Sequence, residues 1–452
     1  MIPKGYVSID RGTMSTAMRE KVKQELTIVP YSTSSFQSIP DVIKLWKDDG
    51  NVIGVPRGYY LTQGKKYGLE GRFNFSAGAH DVKENKPISL RPGQEDVISG
   101  CIKLMRQDKF GGAIAEARVG SGKSVIGMEI ARRIGLKTLV VVHSSVLMDQ
   151  WMEEVPKFLP NWSVGKIRAD KFDVAGKDIC VGIIHSLAMK DYFPQFYEEF
   201  GLIIFDECHI CSAPEFSKAF QKFNAKYFLG LSGTLSRSDR TENVFKFGIG
   251  PVFSGLDIVK NLEPHVYFVD TSFSWNPAYQ MPIDRQKMYL TRELITSPVR
   301  NKIIIDNAIK AASAGRHVLI LSERVPHVEE LTVKLREALK GTDISVGMLV
   351  GSSKPQERKD AMEARIIVAT VQLIGVGFNV PRLDTLIFAT PCQAIQQPCG
   401  RVLRLHDGKK QPIIIDLVDS MSDAAMALAR SRLKKYSANK WKTFGMSVFN
   451  RR

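Results

Sequence analysis

The run Ala117-Arg118-Val119-Gly120-Ser121-Gly122-Lys123-Ser124 constrains this chain more than any other stretch. It follows the apolar Ala113-Ile114-Ala115 and opens onto Val125 to Ala131, whose apolar spacing predicts a helix. A glycine-rich turn between a strand and a helix leaves backbone N–H groups free to cradle phosphate oxygens, helped by the positive end of the helix dipole. Gly120, Ser121 and Gly122 form that cradle. Lys123 is the candidate for the β- and γ-phosphates, and the Ser124 hydroxyl the candidate Mg²⁺ ligand. The strict pattern has glycine where Ala117 stands, and Gly-Ser-Gly alone also suits a surface turn. A second segment narrows the choice. The apolar run Leu202-Ile203-Ile204-Phe205 ends on Asp206-Glu207-Cys208-His209, so two carboxylates emerge at the tip of a buried strand. Asp206 is expected to hold the metal, usually through water, and Glu207 to orient or deprotonate the attacking water. The two segments together predict nucleoside triphosphate hydrolysis.

Sixty-three Lys and Arg against 47 Asp and Glu give a formal charge of +16, which suits a polyanionic partner, nucleic acid being the commonest. The 452 residues exceed what one core holds and predict two or three domains. Met1 to Asp10 lacks the apolar core of a signal peptide, and no apolar run approaches bilayer length. A soluble, cytoplasmic protein without membrane partners is expected, in the host cytoplasm if phage-encoded. Cys208 and Cys211 have a C-x-x-C spacing, but no second pair at metal-ligand spacing accompanies them, so the six thiols are read as reduced and zinc-free.

Residues 1–87 differ from the rest. Short β-type runs (Leu26 to Val29, Asn51 to Val55) flank one amphipathic helical stretch, Ile39 to Trp46. Arg57, Lys65, Lys66 and Arg72 are interleaved with Tyr59, Tyr60, Tyr67, Phe73 and Phe75. Two readings stay open: a surface gripping phosphates and stacking bases, or a small domain whose aromatics form its own core. From Ile88 onward, apolar strands alternate with helical patterns. Thr138 to Val142, Ile179 to Ile184, Leu202 to Phe205 and Tyr227 to Leu231 are strands of one α/β unit. Gly248 to Gly255 is expected to be a linker, after which strands recur at His265 to Val269, His317 to Leu321, Arg365 to Ala369, Thr385 to Phe388 and Pro412 to Ile415. Arg430 to Arg452 is expected to be a basic helical stretch with Tyr436, Trp441 and Phe444, open to packing on the second unit or to touching nucleic acid.

Over about residues 88–420 the chain resembles superfamily 2 helicases. Leu90-Arg91-Pro92-Gly93-Gln94 is similar to the adenine-reading element, with Arg91 and Gln94 as its nucleotide contacts. Ala117 to Ser124 resembles motif I, where Ala commonly replaces the first glycine. His143 to Trp151 stands where motif Ia meets the nucleic-acid backbone, which implies contacts from His143, Ser144 and Gln150. Asp206 to His209 resembles the D-E-x-H form of motif II, and Ser232-Gly233-Thr234 resembles motif III. The resemblance implies that His209, Ser232 and Thr234 couple hydrolysis to movement. Ala369-Thr370 with Gly375 to Pro381 resembles motif V, implying a nucleic-acid contact from Thr370 and a nucleotide contact from Gly377. Asn379 stands there in place of the usual Asp. Gln397-Pro398-Cys399-Gly400-Arg401-Val402-Leu403-Arg404 fits motif VI, which implies catalytic roles for Gln397, Arg401 and Arg404. Two arginines from a second domain would neutralise charge developing on the γ-phosphate.

The implied fold is α/β: two tandem RecA-like parallel-sheet domains (88–250 and 256–425), preceded by a small α+β N-terminal module (1–87) and followed by a basic C-terminal extension (426–452). ATP and Mg²⁺ are the implied cofactors. D-E-C-H and Leu235 to Arg240, with Arg237 and Arg240 as further nucleic-acid contacts, are similar to the DNA translocase branch containing XPB and the UvsW-type phage recombination helicases. In the Arg-Glu-Asp element of XPB, Ser238 here replaces Glu. The subfamily resemblance implies remodelling of branched or forked DNA, with replication or recombination proteins as possible partners. Lys65 and Lys66 of the N-terminal module are the expected junction contacts. The alternatives are an RNA helicase, the motor subunit of a restriction or nuclease complex, or a nucleic-acid-binding protein whose ATPase fold is inactive.

Overall fold

A computed structural model describes residues 2–31, 42–117, 121–168, 171–233, 235, 239–255, 262–275, 283–374, 378, 380–392, 395–403, 406 and 408–450, the side chains of 171, 283–287, 355, 374, 396 and 397 excepted. The chain divides into two compact units, Met1–Lys260 and Asn261–Arg452.

The first unit is built on an eight-stranded sheet. Its order is Lys171–Phe172, Val164–Arg168, Ile179–Ile183, Thr138–Val142, Leu202–Asp206, Tyr227–Ser232, Gly111–Glu116 and Val252–Ser254, every neighbour parallel except the first pair. The central strands are continuous apolar runs because helices cover both faces. Val164–Arg168 does not read that way. Its sequence V-G-K-I-R buries only alternate residues, and a Cβ at Gly165 would sit 2.1 Å from the Asp173 carbonyl oxygen. The expected linker Gly248 to Gly255 is corrected: Val252–Ser254 joins the sheet beside Gly111–Glu116. Gly250 and Gly112 permit this approach, since a Cβ at Gly250 would meet the Gly112 carbonyl carbon at 2.6 Å.

Residues 1–87 do not stand apart from that unit. Four antiparallel strands run in the order Lys47–Asp48, Val52–Pro56, Tyr6–Asp10, Gly71–Arg72. The expected helix from Ile39 to Trp46 is corrected where it is described: Ile43–Lys44 is a strand paired with Thr27–Ile28. The interleaved aromatics form a core. Tyr59, Tyr60, Tyr67, Phe73 and Phe75 pack with Val7, Ile53 and Val55, and Phe110 and Val244 of the α/β unit complete the cluster. Arg57 is 1% exposed. It donates to the Ala225 carbonyl at 2.7 Å, and its guanidinium carbon lies 3.6 Å from the Phe228 ring centroid. The expectation that Arg57 grips phosphate is therefore overturned.

The second unit holds a seven-stranded, fully parallel sheet in the order Val346–Leu349, Ile366–Thr370, Val318–Ser322, Thr385–Phe388, Ile413–Val418, His265–Asp270, Lys442–Phe444. The two units therefore repeat one architecture, the tandem RecA-like arrangement. The C-terminal expectation is corrected in its boundaries. The helix is Asp423–Ala438, and Lys442–Phe444 is the edge strand. Tyr436 is buried, donating to Asp416 Oδ2 at 2.9 Å beside the buried Arg432–Asp416 ion pair, so this segment packs on its own unit. All six cysteines are free thiols and buried.

Candidate active site

Three adjacent parallel strands of the first unit, Leu202–Asp206, Tyr227–Ser232 and Gly111–Glu116, present their carboxyl ends together. In open α/β sheets this edge is where ligands bind. After Gly111–Glu116 the chain passes Ala117 and, beyond residues 118–120, reaches Ser121 and Gly122. Gly122 has φ of +79° and caps the helix Lys123–Ile134. That φ favours glycine, and a Cβ there would also sit 2.5 Å from Gln94 Nε2, so the Gln94 amide would have to shift. The Gln94 amide donates to the Ser121 carbonyl at 2.7 Å and accepts from the Arg91 N–H at 2.8 Å. The segment resembling the adenine-reading element and the glycine turn are thus bonded to each other.

Lys123 and Glu207 meet across the site, Nζ to Oε1 at 3.0 Å. Burial raises the Glu207 carboxyl, but the Lys123 charge, then His209, outweigh it and hold its pKa below the ordinary value. Asp206 goes the other way. Burial, then the neighbouring Glu207 charge, push it up to about 6, against the pull of a hydrogen bond from Trp151 Nε1 to Oδ2 at 2.9 Å. Glu207 itself has φ of +48°, a left-handed conformation costing about 1–3 kcal/mol in a non-glycine residue. In this conformation its carboxylate meets Lys123. His209 Nδ1 lies 3.0 Å from the buried Ser232 Oγ and 3.5 Å from Glu207 Oε2. Ser232 also accepts, through its backbone carbonyl, from the Ala117 N–H at 3.0 Å. One serine therefore joins the strand end, the entry to the glycine turn and the acidic segment.

The expected nucleic-acid contacts fare unevenly. His143 is half-buried with Nδ1 enclosed and without a hydrogen-bond partner. Burial lowers its pKa, opposed by the charge of Glu207. Ser144 caps the helix Ser145–Phe158, accepting from the Leu147 N–H at 3.3 Å, and Gln150 donates to Glu154 at 2.9 Å. Lys65 is paired with Asp108, whereas Lys66 and Arg72 are exposed. Arg240 is exposed. In the second unit Thr370 is buried at the end of its strand, and Arg401, on the helix Gln396–Val402, donates to the Phe378 carbonyl at 2.8 Å. That bond ties the two segments resembling motifs V and VI. Gly120, Thr234, Arg237, Gly377 and Arg404, and the side chain of Gln397, lie outside the described residues. Trp151 was the residue sequence reasoning passed over: it closed the motif Ia stretch without a role, and its bond to Asp206 spans 55 positions.

A family described as "Type III restriction enzyme, res subunit" matches residues 87–237, which span the glycine turn, the acidic pair and Ser232. An ATP-dependent RNA helicase by name, from Acanthamoeba polyphaga mimivirus, is 26% identical over 97% of this chain and 85% of its own. The chain is similar to the helicases of superfamily 2. A helicase by name, from Escherichia phage T5, is 26% identical over 74% of this chain and 73% of its own. Among solved structures, T4 UvsW covers 95% of both chains at 17% identity and a TM-score of 0.41.

A helicase of this superfamily uses ATP, typically with Mg²⁺, and the first unit fits both. Ser121 Oγ is enclosed without a hydrogen-bond partner, as a group awaiting a phosphate oxygen would be, and Lys123 Nζ is held by the Glu207 carboxylate. A side chain at Gly122 would be strained by the positive φ and would displace the Gln94 amide. Ser124 and Asp206 would hold Mg²⁺, which supplies Lewis-acid charge at the phosphates. In such a site Lys123 would meet phosphate and Glu207 would face the attacking water, while the Trp151 N–H bonds Asp206. No described helix is long and apolar enough to cross a membrane.

Proposed function

We propose that this helicase is an ATP- and Mg²⁺-dependent DNA motor that remodels branched DNA by fork regression or branch migration. On this reading its two units close and reopen in each hydrolytic cycle, shifting their grip along the phosphates of one strand. Arg401 and Arg404 of the second unit supply positive charge to the γ-phosphate during hydrolysis. The observation that carries the reading is the union of the N-terminal segment with the hydrolytic unit. The Tyr31 N–H donates to the Asp239 carbonyl at 2.9 Å, seven residues past Ser232, so an accessory surface with exposed Lys66 and Arg72 belongs to the motor itself. A grip on phosphates carries little information about branching, and an adjoining basic surface can meet a second arm.

A second reading is an RNA helicase, favoured by the name of the mimivirus relative that spans 97% of this chain. The family description favours a third, the motor of a restriction or nuclease complex. ATP hydrolysis measured with Holliday-junction DNA, forked DNA, linear duplex, single-stranded DNA and RNA separates them. Strongest stimulation by the branched substrates is expected. Greater stimulation by RNA selects the second reading, and indifference between linear and branched duplex selects the third.

A further inference from the structure

Arg240 holds φ of +57°, a left-handed backbone that a non-glycine residue keeps only where its surroundings impose it. Asp239 Oδ1 accepts from the Thr241 N–H at 3.2 Å and from its hydroxyl at 2.8 Å. The buried Ser212 hydroxyl donates to the Thr241 carbonyl at 3.0 Å. Ser212 closes the 3-10 turn Cys208–Ser212, which begins directly after Glu207, itself left-handed with φ of +48°. A short, largely buried connection therefore joins two left-handed residues, one at the hydrolytic site and one at the surface.

At the surface end Arg240 meets the N-terminal segment. Its guanidinium carbon lies 4.9 Å from the Tyr31 ring centroid, and Tyr31 is 54% exposed. An exposed cation–π pair stabilises a fold by less than a left-handed residue costs, so stability alone does not explain the arrangement. We propose that Tyr31 and Arg240 form a nucleic-acid contact, in which a nucleobase stacks on the open part of the Tyr31 ring and Arg240 takes the adjoining phosphate. The proposal rests on the reading of this chain as a nucleic-acid motor and adds a named contact to it. Both chemistries are displayed: every base has a face that an aromatic ring accepts, and a guanidinium matches phosphate oxygens. The contact is also hydrogen-bonded, through Thr241 and Ser212, to the turn that follows Glu207, so a strand held there would be held by a segment bonded to the one that carries the acidic pair.

The test is binding of a labelled oligothymidylate, or oligouridylate if RNA is the better stimulant of wild-type ATPase, alongside an abasic oligomer of equal length. Tyr31→Ala is expected to weaken binding of the base-bearing oligomer about tenfold, with Tyr31→Phe unchanged, because the ring and not the hydroxyl is required. The abasic oligomer should not distinguish wild type from Tyr31→Ala. Arg240→Ala should weaken both oligomers and reduce the slope of log affinity against log salt by about 0.7. Wild-type affinity in Tyr31→Ala overturns the proposal. Equal weakening for both oligomers also overturns it, being the signature of a structural pin on the N-terminal segment. A wild-type chain that binds neither oligomer, and whose ATPase ignores all nucleic acids, defeats the motor reading itself.

Discussion

Trp151, wholly buried in the helix after the Thr138–Val142 strand, donates its indole N–H to Asp206 Oδ2 at 2.9 Å. It gives the candidate metal ligand one fixed donor in a site that otherwise disfavours its charge. Burial and Glu207 push the Asp206 carboxyl up to about 6. A carboxyl raised in the folded state binds its proton more tightly there than in the unfolded chain. Its contribution to stability therefore falls as pH rises from about 4 to about 6 and stays lost above that. In the metal-free protein, Asp206→Asn should raise stability above pH 6 by on the order of 2 kcal/mol and leave it nearly unchanged near pH 4. Thermal denaturation across that range checks the sign. The same variant should not hydrolyse ATP.

The Lys123–Glu207 pair separates binding from chemistry. Lys123→Ala should abolish hydrolysis and weaken nucleotide binding, because the ammonium is the charge held for the phosphates. Glu207→Gln should keep nucleotide binding while kcat falls by about a hundredfold or more. Turnover close to wild type in Glu207→Gln would show that another group acts on water.

Arg401 offers a test of the second unit. Its bond to the Phe378 carbonyl gives it a local structural role, and the proposed function gives it a catalytic one. Arg401→Ala and Arg404→Ala should each lower nucleic-acid-stimulated kcat at least about tenfold, with ATP affinity changing much less. Unaltered stimulated rates in both would leave Arg401 as a structural residue of that segment.

Arg57→Ala should destabilise the first unit by about 3 kcal/mol, since the Ala225 carbonyl and the face of Phe228 lose a buried partner together. Denaturant titration reads the loss. A change in nucleic-acid affinity with stability unaltered would contradict the structural role. Charge reversal at exposed Lys66, by contrast, should leave stability alone and flatten the salt dependence of junction binding.

The parts legible in the sequence were those with local signatures. Continuous apolar strands such as Leu202–Asp206 announced the parallel sheets, and the glycine turn announced its helix. Segments whose structure depends on distant partners were not legible. Val252–Ser254 reads as a linker because glycine and proline precede it, yet those glycines let it lie against Gly112. Ile43–Lys44 has a helical apolar spacing, and pairing with Thr27–Ile28 decides otherwise. Within the site, the acidic pair and Lys123 were readable by type and order. The opposite pKa directions of Asp206 and Glu207 were not, because they depend on which carboxylate Lys123 reaches and which one Trp151 caps.

Arg57 sits where the first 87 residues meet the sheet, its charge sealed between the Ala225 carbonyl and aromatic rings from both sides. A surface fastened in that way cannot be traded between motors as a cassette, because the incoming piece would need the matching bolt. If that surface selects the substrate as proposed, the choice would have to be retuned residue by residue, along the exposed rim, with the seam left intact.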